Sequence, residues 1–156
     1  MNTEIKLIPS ENPKVPEARA RFHHNLQLQL RFNDFDMVGH LNNAVYVNLF
    51  DLGKIDYFQT VMPERIDFHD VPVVVVNVNC SFFAPTYMYE KVDCVLAVYA
   101  ISERSIKMEQ RIYSRETGEV KSICYTVLAG FDAATATGAP IDPVWAEALR
   151  KFEGIE

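Results

Sequence analysis

Cysteine is scarce in this 156-residue chain: Cys80, Cys94 and Cys124 are odd in number, far apart and without a C-x-x-C pair. That argues against a disulfide-stapled scaffold and against a thiolate metal site. All three fall in apolar, strand-like runs, as buried free thiols of a reducing compartment do. Positive charge is also short, with 15 Lys and Arg against 21 Asp and Glu. A net charge of −6 leaves no concentrated basic surface for a phosphate backbone, so nucleic acid is not an expected partner. A few local cations would still suffice for an anionic small molecule. No apolar run is long enough to span a bilayer, and the opening MNTEIKLIPSENPKVPEARA holds no apolar core of signal-peptide length. The expectation is a cytoplasmic protein without a membrane partner.

What is present is the composition of an ordered globular domain, 49% hydrophobic and 23% charged, at a one-domain length. Residues 1–20 are polar, carry Pro9, Pro13 and Pro16 and show no period. They read as a loosely attached arm with a short extended piece at Ile5–Ile8. Residues 21–133 read as the folded domain, and 134–156 as a loop and a short helix. From Phe22 to Phe32 the chain alternates, with Phe22, Leu26, Leu28, Leu30 and Phe32 sharing one face with His24, the signature of a strand with one buried face. Adjacent His23 and His24 then point to opposite faces and cannot grip one metal. No metal site is expected.

The stretch from Asn33 to Phe58, NDFDMVGHLNNAVYVNLFDLGKIDYF, opens with two acids, turns at Gly39 and becomes a long apolar segment. The segment reads as a helix from about Asn43 to Thr60, with Asn42 or Asn43 as N-cap and Pro63 at its end. Apolar side chains cover most of its circumference, so it should be buried on several sides. Gly53 inside it costs about 1 kcal/mol relative to Ala, which implies a close backbone approach. From Val71 to Phe131 everything reads as strand. Val74, Val76, Val78, Cys80 and Phe82 are expected on one face of the first strand, and hairpin corners at Glu103–Arg104 and Thr117–Gly118. In the tail, Asp142 caps a helix with Pro143 in its first turn and Trp145, Leu149 and Phe152 on one stripe. The sum is an α+β domain, a five-stranded antiparallel sheet wrapped around one long central helix, plus a short C-terminal helix. One curled sheet covers only part of so apolar a helix, so a homodimer or homotetramer is expected.

At Asp34–Tyr46 the pattern D-x-D-x-x-G-H-L-N-N-A-x-Y, followed by a long helix and four strands, resembles the hotdog-fold acyl thioesterases. Within them the 4-hydroxybenzoyl-CoA thioesterase family is most similar, and the acyl-ACP thioesterases, with their HVNN-type motif, are cousins. Phe83-Ala84-Pro85 and the Ser102–Ser105 corner agree with this. The resemblance covers roughly Leu26 to Asp132. It implies hydrolysis of an acyl-CoA to a carboxylic acid and free CoA, without a cofactor. It implies Asp36 as the catalytic aspartate, the helix N-terminus at Asn43 as the group that polarises the thioester carbonyl, and His40 as a second catalytic candidate. Gly39, Tyr46, Arg104 and Ser105 are implied as substrate-binding. Two departures stand out. Val38 occupies the place where the acyl-ACP enzymes carry Asn, and Lys54 the place where the family often carries Arg.

The chemistry fits these residue types. Thioester hydrolysis needs a nucleophile, or a base for water, and a site for the growing oxyanion. A helix N-terminus offers free N–H groups and about half a positive charge, and a nearby carboxylate can attack or deprotonate water. A thiolate leaves readily, so no strong general acid is needed. On spacing alone Asp34 and Asp36 would read as turn or capping residues, Asp51 as a solvated helix acid and Arg104 as a solvent-facing corner residue. The remaining alternatives are an acyl-ACP thioesterase and a hotdog module that binds acyl thioesters without hydrolysing them.

Overall fold

The computed structural model of the chain describes residues 2–62 and 64–156; Pro63, read above as the end of the helix, lies outside the described residues. The elements in chain order are β1 (His24–Gln27), a 3-10 turn (Phe32–Asp34), α1 (Asn43–Val61), β2 (Val73–Phe82), β3 (Val92–Ile101), β4 (Ser105–Ser114), β5 (Val120–Asp132), β6 (Thr137–Gly138) and α2 (Pro143–Glu153). All strand pairs are antiparallel, in the spatial order β1-β3-β4-β5-β2. The two-residue β6, absent from the sequence reading, pairs with the end of β5. This is the wrapped-sheet α+β architecture expected. Among the described residues no helix is long and apolar enough to cross a membrane.

The sheet's inner face packs on α1 in two clusters. Toward the helix N-terminus, Leu41, Tyr46, Leu49 and Phe50 meet Val92, Cys94, Ile112 and Cys124. Toward its C-terminus, Tyr57, Phe58 and Met62 meet Leu96, Val98, Met108 and Leu128, with Leu149 of α2 closing the bottom. Gly53 sits between the clusters, where an added Cβ would lie 3.1 Å from Cys94 Sγ and 3.2 Å from Gln110 Nε2. The close approach inferred from that glycine is real. One face of α1 remains open: Leu52 is 49% and Ile55 45% exposed, so a single sheet does not enclose the helix.

Three expectations change. The regular strand at Phe22–Phe32 shrinks to four residues, because Phe22 turns to the sheet's outer face and pairs with Ile5, while the chain beyond Leu28 leaves for the 3-10 turn. The shared face along β2 is broken by a bulge between Val75 and Asn77. Val75, Val78, Cys80 and Phe82 pair with the inward residues of β5, whereas Val74 pairs with the outward Ala129. The N-terminal arm is strapped down rather than loose. The Arg19 backbone N–H donates to Glu109 at 2.8 Å, its guanidinium lies 3.9 Å over the Tyr125 ring, and Arg111 donates to the Pro16 carbonyl. The outer face of β4 and β5 carries charges and aromatics that this cover desolvates and satisfies.

Candidate active site

The chain between the 3-10 turn and α1 forms a miniature hairpin. Phe35 pairs with Leu41, the Asp36 N–H donates to the His40 carbonyl at 2.9 Å, and the Gly39 N–H donates to the Asp36 carbonyl at 3.0 Å. Gly39 has φ +77°, a left-handed conformation that costs any residue with a Cβ about 1–2 kcal/mol. The Asp36 carboxylate closes the turn from inside: its Oδ1 accepts from the N–H groups of Val38 (3.0 Å) and His40 (3.2 Å). Its other oxygen has no protein donor among the described residues, and the side chain is exposed. Asp34 is the opposite case. It is buried, and its carboxylate accepts from the backbone and guanidinium of Arg31 while its carbonyl accepts from the Asn42 N–H.

The helix begins where Asn42 caps it. The Asn42 Oδ1 accepts from the Ala44 N–H at 3.0 Å, and its carbonyl accepts from the Val45 N–H. That resolves the choice between the two asparagines and leaves Asn43 as the first helical residue. Its own N–H has no acceptor among the described residues and sits at the positive end of the dipole. Opposite, Phe83–Tyr87 is held in place by the Leu41 N–H donating to the Thr86 carbonyl and by the Tyr46 hydroxyl 2.7 Å from Thr86 Oγ1. Between loop and helix lies a cavity of about 300 Å³ lined by His40, Leu41, Asn43, Tyr46 and Phe82–Pro85. Tyr46 is a wall rather than a free donor, its hydroxyl engaged by Thr86 and its ring edge-on to Phe82.

The structure thus brings Asn43, His40 and Tyr46 onto one wall. Asp36 and Gly39 do not line the cavity; they are hydrogen-bonded within the turn that leads to His40. Arg104 and Ser105 lie elsewhere. Ser105 opens β4 opposite Ala129, whereas the cavity adjoins the other end of the sheet, where Ser122 of β5 pairs with Phe82. Seven residues of β5 separate those two rungs, roughly 23 Å along the strand. Within one chain these two residues do not meet the site.

Two residues missed by the sequence reading support it. Thr86 ties loop to helix. Lys121, almost fully buried, donates to the Pro85 carbonyl at 3.1 Å and pairs with Glu90 and Glu119. Burial disfavours its charge, but the two carboxylates outweigh this and raise its pKa above the ordinary lysine value. A lysine inside an otherwise apolar strand, between Val120 and Ile123, was the available signal.

A family model described as the thioesterase-like superfamily matches residues 30–149, most of the chain. The chain belongs to the thioesterase-like superfamily. Its similarities to solved structures agree. A Thermus thermophilus thioesterase complexed with coenzyme A and Zn shares 25% identity at a TM-score of 0.74, over 85% of this chain and 95% of that one. The probable thioesterase YbaW of Escherichia coli shares 20% at 0.70, over 84% and 99%. The 1,4-dihydroxy-2-naphthoyl-CoA thioesterase Slr0204 of Synechocystis shares 16% at 0.70, over 80% and 93%. No curated protein sequence matches the chain. The hotdog fold and the class of activity, thioester hydrolysis, follow from membership.

Proposed function

We propose that this hydrolase acts on an acyl-CoA, releasing a carboxylic acid and free CoA, at the N-terminal end of α1. The observation that carries this is that Asn43, whose N–H has no acceptor among the described residues, lines the cavity next to the exposed Asp36 turn. The N–H and the helix dipole polarise the thioester carbonyl and hold its oxyanion. The free oxygen of Asp36 attacks the carbonyl carbon, giving a mixed anhydride that water opens, or removes a proton from an attacking water. Either route expels the CoA thiolate. Gly39 shapes the turn and Tyr46 the wall. A second reading is favoured by one observation: His40 lines the cavity and Asp36 does not, which makes the imidazole the base and Asp36 the group that fixes its backbone.

The assembly we propose is a homodimer, or a tetramer built from it. β2 is a ten-residue edge strand with Val74, Val76, Val78 and Phe82 exposed, a surface that left open would recruit other strands. Antiparallel pairing of two β2 edges about a twofold axis would set the Ser105 end of one sheet against the Phe82 end of the other. That is the route by which Arg104 and Ser105 reach a CoA held by a second copy. A thiol-release assay across a panel of acyl-CoA and acyl-ACP substrates tests the reading, with Asp36→Asn, Asp36→Ala and His40→Gln alongside wild type. Loss with the Asp36 variants supports the carboxylate route, and loss with His40→Gln alone supports the imidazole. Release from acyl-ACP only, or saturable binding without release, would replace the acyl-CoA reading with the carrier-protein or the binding-module one.

A further inference from the structure

Pro85 is shared by the catalytic cavity and a second one of about 410 Å³, which Tyr87 and Tyr89 line together with Ser114, Glu116 and Thr117 from the β4–β5 corner. The two tyrosine rings are parallel to within 2° with centroids 5.8 Å apart, an offset stack. Tyr87 also stands edge-on to His40 at 5.2 Å, so the aromatic run begins at the catalytic wall. It ends in water, where Tyr89 is 82% exposed.

The fold holds this exposed surface in place. The Glu90 N–H donates to the Tyr87 carbonyl and the Tyr87 N–H donates to Glu90 Oε1, both at 3.0 Å. Glu90 Oε2 lies 2.7 Å from Lys121 Nζ, which also donates to the Pro85 carbonyl and pairs with Glu119. An ammonium has three N–H groups, and these three acceptors use them all. A buried, fully paired lysine is thereby committed to fixing an exposed turn. Tyr87, Met88 and Tyr89 leave apolar surface unburied there, and ordering them costs entropy that folding alone does not return. A flat ligand that stacks on rings already ordered is spared that cost.

Position selects which half of a thioester substrate meets the rings. An apolar acyl tail is stabilised by burial, whereas the carrier half stays in water, where the tyrosines are. CoA ends in adenine, a flat base with a π-face to stack and an amino group that donates. Glu116, exposed and lining the same cavity, offers a carboxylate to such a donor. The charges lining the cavity are Lys91 and Lys121 against Glu90, Glu116 and Glu119. That negative balance suits an uncharged base and keeps the phosphates outside, in solvent.

We propose that Tyr89, stacked on Tyr87, is a substrate-binding residue whose ring receives the adenine of CoA, and that this platform selects CoA over a carrier protein. An acyl carrier protein presents the same phosphopantetheine arm with no base to stack. The inference rests on the thioester hydrolysis proposed above and names the carrier that the site recognises.

The test compares decanoyl-CoA with decanoyl-4′-phosphopantetheine, which lacks the adenosine part, as a ratio of kcat/KM. Wild type should favour the CoA ester by about ten-fold, the size of one base stacked on one aromatic ring. Tyr89→Ala should raise KM for decanoyl-CoA by about that factor with kcat unchanged, bringing the ratio to near one. Tyr89→Phe keeps the ring and should keep the ratio. A wild-type ratio near one, a ratio that survives Tyr89→Ala, or a variant that lowers both esters alike overturns the proposal. So does a Tyr89→Ala variant with an altered preference between benzoyl-CoA and decanoyl-CoA, which would assign the ring to the acyl group. If wild type releases thiol from neither ester, the hydrolytic reading fails separately. Calorimetric titration with CoA and with 4′-phosphopantetheine then reads the platform alone. Tighter binding of CoA, lost in Tyr89→Ala, is expected there, and equal affinities in wild type are contrary to it.

Discussion

The two ends of α1 carry similar inventories of polar groups and use them differently. At the C-terminal end the Tyr57 hydroxyl donates to Glu153 at 2.5 Å, and the Val98 N–H donates to the same oxygen at 3.0 Å. His23 Nδ1 lies 3.3 Å from the other oxygen, and His24 pairs with Asp56 at 2.7 Å. Nearly every charge there is spent on another part of the fold, with His24 Nδ1 the one buried side-chain atom of the group without a partner among the described residues. At the N-terminal end the scaffold uses Asp34, Asn42 and the Tyr46 hydroxyl, yet leaves an oxygen of Asp36 and the Asn43 N–H unspent. A polar group that the fold does not consume is available for chemistry. A buried acid and two histidines alone would have drawn attention to the C-terminal end instead.

The sharpest way to break this contrast is at Asp36. Asp36→Asn keeps an oxygen to accept from Val38 and His40, so the turn survives while the charge is lost. Turnover should fall by about a hundred-fold or more with the melting temperature unchanged. A variant that turns over normally would place the base elsewhere. The mirror experiment is Tyr57→Phe, which leaves the buried Glu153 without its shortest donor. Urea unfolding should show a loss of about 1–3 kcal/mol with kcat unchanged. A fall in kcat there would mean that the closed end shares in catalysis. Between the two ends, Gly53→Ala gains about 1 kcal/mol of helix propensity but drives a Cβ against Cys94 and Gln110, both buried and unable to withdraw. The balance should be a net loss of about 1 kcal/mol in the same unfolding assay.

Much of this was legible in the sequence because it is periodic. The alternation through Val92–Ile101, the near-continuous apolar helix and the Asp142 cap of α2 translated directly into elements. So did the turn at Gly39, since only the left-handed conformation demands that residue. What did not translate depends on pairing across the chain. The β2 bulge is set by register against β5, and the partners of His23 and His24 lie 130 and 32 residues away. Arg104 and Ser105 were grouped with Asp36 by family likeness, yet which end of a sheet a hairpin corner reaches is a matter of strand direction. Lys121 and Thr86 escaped because their role is to hold a loop, which no local pattern announces.

The smallest effect separates the two ends by pH. Burial is the main reason the Glu153 pKa is raised above the ordinary 4.5, and the hydrogen bonds from Tyr57, Val98 and His23 offset only part of it. The folded chain therefore keeps the Glu153 proton to higher pH than the unfolded chain does. Between 4.5 and the raised value the native state binds more protons, so this group makes stability fall as pH rises, and its contribution levels off above that window. Glu153→Gln, which still offers an oxygen to Tyr57 and Val98, should flatten that part of a melting-temperature profile and leave the pH profile of kcat where it was. A kcat profile that moves with Glu153→Gln would show the closed end coupled to the cavity through α1. A melting profile unchanged by the substitution would show that Glu153 titrates alike in the folded and unfolded chain.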